Sequence, residues 1–208
     1  MIAMKGGCLP VLRIVVLAAG FSTRLGKPKA LARIRGRSLL ARTLGVLAPY
    51  RCASRIIVVM PPRAARYRTG SSARNVDFVA NPRRATGLAS SVLLGIAKAR
   101  PCAGVLLVPV DLGDLTGRDV GRLIARWRGA RRRVVATAVH ETAGAPLILP
   151  HWLFAHARGL AGDRGLRDLV RRLPRERSWL LTLPSAAADI DTPQALARAR
   201  RRMRPGGP

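Results

Sequence analysis

A short apolar run, VVLAAG at residues 15–20, passes directly into a loop that is rich in glycine, hydroxyl groups and positive charge. The loop contains Gly20, Ser22, Arg24 and Lys29. Small residues let backbone N–H groups approach an anion closely, and arginine and lysine supply the charge that phosphate oxygens require. The sequence therefore predicts a phosphate-binding loop at the end of a strand.

Two familiar phosphate loops do not describe this stretch. The P-loop requires G-x4-G-K-[ST], whereas five residues separate Gly20 from Gly26, and Pro28 stands where a hydroxyl group should bind magnesium. The dinucleotide fingerprint G-x-G-x-x-G is absent from residues 15–29. The loop is therefore neither a P-loop nor a Rossmann dinucleotide loop.

Carboxylates are rare in this chain, which has ten Asp and Glu residues beside 38 Lys and Arg. Asp111 and Asp114 follow the apolar run VLLVPV, and Asp189 and Asp191 lie in DIDTPQAL. A hard divalent cation takes carboxylate oxygens as ligands, so these two stretches are where such a cation would bind. Two alternatives stay open: Asp111 could be a turn residue, and Asp191 could cap the helix that follows it.

The motifs together resemble those of the MobA-like NTP transferases, in particular the molybdenum cofactor cytidylyltransferase-like proteins. Residues 17–29 match the pattern L-A-A-G-x-S-x-R-x-G-x-P-K, and residues 81–91 match N-P-x4-G-[ML]-x-S-S. GAPLILP at 144–150 resembles the segment G-H-P-V-L-F, and GDRGLRDLV at 162–170 resembles G-D-x-G-A-R-x-L. The resemblance covers nearly the whole chain, with the motifs in the same order.

The chain departs from the family pattern in two places. Ala145 replaces the usual histidine before Pro146, and Leu112-Gly113 replaces Met-Pro after Asp111. The first change affects the side of the site expected to bind the acceptor. The second changes the loop expected to bind the metal without removing its carboxylate.

The resemblance implies a role for each matched residue. Lys29 and Arg24 are implied as catalytic residues that offset phosphate charge. The nucleotide-binding residues implied are Leu17, Ala18, Ala19, Gly20, Ser22, Asn81, Gly87 and Ser91. The implied ligands of Mg²⁺ are Asp111 and Asp191. The implied acceptor-binding residues are Gly144, Pro146, Asp163 and Arg167.

The activity implied by the resemblance is Mg²⁺-dependent transfer of CMP from CTP to the terminal phosphate of molybdenum-bearing molybdopterin, with release of pyrophosphate. Ala19 favours CTP, because the guanylyl branch of the family has glycine at this position. Alternatives that stay open are guanylyl transfer to the same acceptor and NTP transfer to another phosphorylated small molecule. A non-catalytic cofactor-binding or chaperone protein on the same scaffold is a further alternative. A molybdoenzyme or its chaperone is a candidate protein partner.

Apolar runs of strand length alternate with helical patterns along the chain. Strands are predicted at residues 13–18, 55–60, 76–80, 105–110, 134–139 and 179–183. Helices are predicted at residues 38–47, 88–99, 116–127, 152–157, 166–173 and 193–203. The strands are apolar on both faces, which predicts a three-layer α/β fold with a mostly parallel sheet between helices, a Rossmann-like nucleotidyltransferase fold. Ligands bind at the carboxyl ends of the strands in such sheets.

The bulk properties favour a single nucleotidyltransferase domain over residues 1–208, with flexible ends at 1–11 and 203–208. Cys8, Cys52 and Cys102 form no CxxC pair, which argues against a disulfide framework or a zinc site. No apolar run approaches the roughly 20 residues that span a bilayer, so no membrane partner is expected. These features predict a cytoplasmic protein.

The formal net charge of +28 raises the question of nucleic-acid binding. The arginines are spread through every segment and do not form one basic arm. Three Trp, two Tyr and three Phe supply few stacking platforms for single strands. Nucleic acid is therefore not the expected partner, although duplex binding with a steep salt dependence stays an open alternative.

Overall fold

The computed structural model describes residues 12–50, 55–68, 75–139, 142–160, 162, 165–186 and 189–203. The strands in this part are β1 Leu12–Leu17, β2 Arg33–Ile34, β3 Arg37–Ser38, β4 Ile56–Met60, β5 Val76–Ala80, β6 Gly104–Pro109, β7 Val134–Val139, β8 Thr142–Pro150 and β9 Ser178–Leu181. The helices are α1 Leu39–Leu47, α2 Leu88–Ala99, α3 Gly117–Arg128, α4 Gly165–Arg171 and α5 Pro193–Arg202. The ends predicted to be flexible lie outside the described residues, except for Met203.

A seven-stranded sheet forms the centre of the fold, in the order β5-β4-β1-β6-β8-β7-β9. The strands β5, β4, β1 and β6 pair in parallel, and so do β7 and β9. Only β8 among these strands runs antiparallel to its neighbours, β6 and β7. The mostly parallel sheet predicted from the sequence is confirmed, with one reversed strand inserted into it.

Both faces of the sheet are covered by helices. Along β1, Ile14 and Val16 join one apolar core, and Val15 and Leu17 join the other. Buried residues of α1, α3 and α5 belong to the first core, and those of α2 and α4 belong to the second. The strands carry Val, Ile and Leu at successive positions because both faces are covered. The three-layer prediction is confirmed.

Side-chain caps fix where several helices begin. The side chains of Ser38 and Thr116 cap α1 and α3, where they accept hydrogen bonds from the backbone N–H groups of Ala41 and Asp119. At α5 the cap is Thr192, whose hydroxyl accepts from the N–H of Ala195 at 3.1 Å. The alternative that Asp191 caps α5 is therefore wrong, and its carboxylate is used elsewhere.

The helix predicted at residues 152–157 does not form. Two short 3-10 turns, His151–Leu153 and His156–Gly159, take its place. Pro150 precedes the segment without supplying a side-chain cap, and a six-residue segment gains little from helix propagation.

None of the helices in the described ranges is long and apolar enough to cross a membrane.

Candidate active site

A cleft of about 730 Å³ opens at the edge of the sheet where β1, β6 and β7 end. The reversed strand β8 contributes its first half to the same edge, because it runs against its neighbours. The volume lies within the usual range for small-molecule sites. The cleft therefore occupies the position at which open α/β sheets bind ligands.

The loop after β1 folds back on itself and directs Lys29 towards the cleft. The N–H of Ala18 donates to the carbonyl of Val59 at 2.8 Å, which continues the strand geometry into the loop. Ser22 adopts a left-handed backbone conformation, and its hydroxyl accepts from the N–H of Lys29 at 3.0 Å. Gly26 has φ +70 and donates to the carbonyl of Ser22 at 3.2 Å. These bonds close the loop between residues 22 and 29.

The predicted catalytic and metal-binding residues converge on one point. Lys29 Nζ donates to Asp111 Oδ2 at 2.8 Å and also donates to Asp191 Oδ1. Arg24 Nη2 lies 2.9 Å from Asp191 Oδ2, although its side chain is 73% exposed. Water screens the Arg24 ion pair more than the Lys29 pairs, since 16% of the Lys29 side chain is exposed.

The electrostatic environment keeps Lys29 charged. Partial burial lowers the pKa of Lys29, but the charges and hydrogen bonds of Asp111 and Asp191 outweigh this effect and raise the pKa above its ordinary value of 10.5. Lys29 is therefore a fixed positive charge at neutral pH. An ammonium group held beside a glycine-rich loop is suited to binding phosphate oxygens.

The positions of Asp111 and Asp191 also suit two carboxylate ligands of one metal ion. Both contact the same ammonium group, so their carboxylates face a common point. Magnesium in phosphate-binding sites commonly takes one or two carboxylates and completes its shell with water and substrate oxygens. Within the described ranges no group of three or more His, Cys, Asp or Glu residues could hold a metal ion. The donor set thus fits a cation that is shared with a phosphate ligand.

The segment before α2 is held together by Asn81. Its buried Nδ2 donates to the hydroxyl oxygens of Ser90 and Ser91 at 2.9 Å, and its Oδ1 accepts from the N–H of Arg83 at 2.9 Å. Ser91 lines the cleft, whereas Asn81 and Gly87 are not among its lining residues. Asn81 thus positions Ser91, and its own contact with a nucleotide stays a prediction.

Gly87 needs to be glycine for two reasons. Its φ is +96, a conformation that side chains disfavour. A Cβ atom at this position would also lie 2.6 Å from the carbonyl carbon of Gly162. The N–H of Ala89 donates to the carbonyl of Gly162 at 3.0 Å, so the start of α2 is joined to the segment before α4.

The predicted acceptor-binding residues are only partly placed in the cleft. Gly144 lines it, as does Ala145, which stands where the family pattern has histidine. The carbonyl of Pro146 instead accepts a hydrogen bond from the buried hydroxyl of Thr137 at 2.9 Å. Arg167 lies on α4, and Asp163 falls outside the described residues.

Other residues that line the cleft are not among the site residues implied by the resemblance. They are Ala30, Leu88, Leu107, Pro109, Val110, Leu112, Val139, Ala143, Ala145, Leu147, Leu166, Asp168, Arg171 and Asp189. For Asp168 and Arg171 a signal exists in the sequence. Their i,i+3 spacing within the predicted helix 166–173 places them on one helix face, near the segment expected to bind the acceptor.

Comparison with known proteins identifies the family of this chain. The family model described as the MobA-like NTP transferase domain matches residues 14–177. A protein of Rhodopirellula baltica named "Probable molybdenum cofactor guanylyltransferase" is 33% identical over 135 residues. That match covers 64% of each chain, so it spans less than two thirds of the relative's length.

Solved structures with the same fold support the assignment. The crystal structure of Rv0371c from Mycobacterium tuberculosis H37Rv has a TM-score of 0.74 and 25% identity, over 90% of this chain and 96% of that one. The manganese complex of Rv0371c has a TM-score of 0.72 and 25% identity, over 90% and 97%. These likenesses confirm the Rossmann-like nucleotidyltransferase fold. Since the family model also covers most of the chain, this protein belongs to the MobA-like NTP transferase domain family.

Proposed function

We propose that this protein transfers CMP from CTP to the terminal phosphate of molybdenum-bearing molybdopterin and releases pyrophosphate. The observation that carries the proposal is the position of Lys29, at the end of the loop that follows β1, between Asp111 and Asp191. Phosphoryl transfer requires cationic groups that contact the phosphate oxygens. It also requires carboxylates that can bind a metal ion together with those oxygens. Membership of the family supports the same reaction class.

The chain's own groups bind and orient the reactants. Small residues at 18–20 leave room for phosphates beside the backbone, and Lys29 and Arg24 offset their negative charge. A phosphate oxygen of the acceptor attacks the α-phosphorus of the nucleotide in line. The bond from the α-phosphorus to the bridging oxygen breaks, and pyrophosphate leaves with that oxygen. No general base is needed, because the acceptor phosphate is already ionised at neutral pH. Catalysis therefore rests on positioning and charge neutralisation.

Asp111 and Asp191 are the residues that would hold Mg²⁺, the ion we propose for this site. When bound, Mg²⁺ would neutralise charge on the triphosphate oxygens. Lys29 contacts both carboxylates and offsets their mutual repulsion, so the pair stays together around one point. The similar structure of Rv0371c from Mycobacterium tuberculosis is a complex with manganese, which supports the use of a divalent cation by this protein.

Two observations bear on the choice of base and favour different nucleotides. Ala19 is 2% exposed and contributes to the cleft wall at the position where the guanylyl branch has glycine, which supports CTP. The guanylyl name of the Rhodopirellula baltica relative supports GTP as the second candidate. We place CTP first because Ala19 belongs to the cleft itself.

Calorimetric titration with CTP and with GTP, each with Mg²⁺ at physiological salt, tests the proposal. We expect Mg²⁺-dependent binding that favours CTP, followed by pyrophosphate release when the molybdopterin acceptor is added. Preference for GTP would transfer the proposal to guanylyl transfer. Binding of neither nucleotide would contradict nucleotidyl transfer and favour a non-catalytic binding protein on this scaffold.

A further inference from the structure

The order of the strands divides the cleft into two halves. Neighbouring strands lie about 4.8 Å apart, so β7, three strands from β1, is about 14 Å away from it. Helix α2 packs on β1 and β4, and α4 packs on β8. The phosphate loop occupies the half near β1. The half beneath α4, which we call the acceptor half, is left for the second substrate of the proposed reaction.

The acceptor half combines an apolar floor with one pair of opposite charges. Its apolar lining residues are Leu107, Val139, Ala143, Leu147 and Leu166. Among the cleft-lining residues contributed by the described parts of β7, β8 and α4, the charged ones are Asp168 and Arg171. Arg171 Nη2 lies 3.2 Å from Asp168 Oδ1. Among the described residues of β7, β8 and α4, these two side chains are therefore the charged groups available to a ligand in this half.

The Asp168–Arg171 ion pair is easily opened by a ligand. The two side chains are 32% and 71% exposed, and exposed pairs at i,i+3 contribute little to stability. A ligand group can therefore replace either partner of the ion pair at a small cost in free energy. The pair presents a hydrogen-bond acceptor beside a donor at the margin of an apolar surface. That arrangement complements the edge of a flat ring on which an N–H group adjoins a carbonyl group.

We propose that Asp168 and Arg171 together select the acceptor by binding the lactam edge of a 2-amino-4-oxopyrimidine ring, as found in pterins. Asp168 accepts from the ring N–H groups, and Arg171 donates to the ring carbonyl. The apolar floor packs against the flat ring, while the acceptor phosphate extends towards Lys29. This inference rests on the proposed function and deepens it, because it names the side chains that distinguish a pterin from a sugar phosphate.

The test compares Arg171→Ala and Asp168→Asn with Arg172→Ala. Arg172 is the exposed neighbour of Arg171 on the chain and does not line the cleft, so its variant matches the loss of charge. We expect each site variant to raise KM for molybdopterin by roughly 10-fold or more, the effect of one charge-assisted hydrogen bond. KM for CTP and kcat should stay within roughly twofold, and Arg171→Lys should recover part of the affinity.

A binding measurement separates this inference from the proposed function. Fluorescence titration with a 6-alkylpterin monophosphate should show weaker binding to Arg171→Ala than to Arg172→Ala, with the same unfolding midpoint for both. Equal binding to both variants, or no binding to a wild-type protein that binds CTP, would overturn the inference and leave nucleotide transfer standing. A wild-type protein that binds neither CTP nor GTP would overturn both. Glycerol 3-phosphate has no ring. If Arg171→Ala weakens the binding of glycerol 3-phosphate by the same factor as the binding of the pterin, the proposal that Arg171 recognises the ring edge is wrong.

Discussion

Replacement of Lys29 by methionine removes one charge from the centre of the site and nearly keeps the length of the side chain. In the wild-type protein the Lys29 ammonium donates to Asp111 and Asp191. The backbone N–H of residue 29, which donates to the hydroxyl of Ser22, is the same in the variant. Lys29→Met therefore tests the charge of the ammonium group separately from the fold of the loop.

The expected catalytic effect is larger than the effect on stability. Removal of one preorganised group that stabilises charge in the transition state lowers kcat by about 10²–10³-fold, or about 3–4 kcal/mol. The variant also leaves Asp111 and Asp191 without their common partner. Because these carboxylates are 20% and 25% exposed, water replaces part of the lost interaction, and we expect about 1–2 kcal/mol of destabilisation.

Pyrophosphate release at saturating CTP and Mg²⁺ measures kcat, and urea unfolding measures stability. Lys27→Met is the matched control, because Lys27 lies in the same loop with an exposed side chain and the substitution changes the net charge equally. A calorimetric titration with Mn²⁺ provides a readout besides turnover. We expect Lys29→Met to bind Mn²⁺ more tightly than the wild-type protein, since no ammonium competes for the two carboxylates.

Two results would refute this reasoning. If kcat of Lys29→Met stays within about threefold of the wild-type value, the ammonium does not stabilise the transition state. If Lys27→Met loses as much activity as Lys29→Met, the overall charge of the loop matters and the position of Lys29 does not. Unchanged Mn²⁺ affinity would separately contradict a shared binding point at the two carboxylates.

Three further predictions concern the carboxylates, the backbone and pH. Asp191→Asn should lower turnover at least about 10-fold, and high Mg²⁺ should restore part of it. The control Asp114→Asn alters a carboxylate that is paired with a surface arginine, and it should have wild-type turnover. Gly87→Ala should lower the free energy of unfolding in urea by about 1–3 kcal/mol because of its positive φ, whereas Gly159→Ala, which meets open space, should change it by less than about 0.5 kcal/mol. Since the folded-state pKa of Lys29 is raised above 10.5, its stabilising contribution is complete below that pH and is lost as pH rises through the folded-state pKa. Comparison of wild type with Lys29→Met by urea unfolding between about pH 9 and 12 should show a difference in stability that is constant up to about pH 10.5 and shrinks above it; a difference that stays constant to about pH 12 would contradict this reasoning.

Local sequence signals predicted the elements that build the nucleotide half of the cleft. Runs such as IIVVM in β4 and GVLLVP in β6 are apolar on both faces, and such runs are typical of strands covered on both sides. The phosphate loop was predicted at the end of β1 because its glycines and cations are contiguous in the chain. Both signals are local, so a single sequence is enough to detect them.

The reversed strand β8 was not predicted, because its first half lacks the residue pattern of a strand. It contains Gly144, Ala145 and Pro146 before the apolar residues begin. Proline and glycine are poor strand formers, and the hydrogen-bond partners of a strand are set by the whole sheet and are not encoded in the strand alone. Its direction and its place between β6 and β7 therefore could not be predicted from the strand's own residues.

The contacts of the charged residues are also non-local. Lys29 and Asp191 are separated by 162 positions, and the backbone pairing of residues 189–190 with Asp111 and Leu112 brings them together. Asp191 and Thr192 are both residue types that commonly cap helices, so the sequence alone does not distinguish them. In the structure the Thr192 hydroxyl caps α5, which leaves the Asp191 carboxylate free to pair with Lys29. With 38 Lys and Arg residues in the chain, no single arginine is conspicuous, which is why Arg171 was not distinguished from its neighbours.

The reversal of β8 has a consequence for how such a protein can acquire new substrates. The groups proposed to bind the nucleotide and metal come, apart from Asp191, from the first 111 residues of the chain, whereas the acceptor half, apart from Leu107, is built by β7, β8 and α4. Insertions and substitutions in that second unit can therefore reshape the pocket for a different acceptor while the reaction centre keeps its geometry. Chimaeras that exchange residues 134–171 between relatives are the natural way to redirect the transfer to another phosphate.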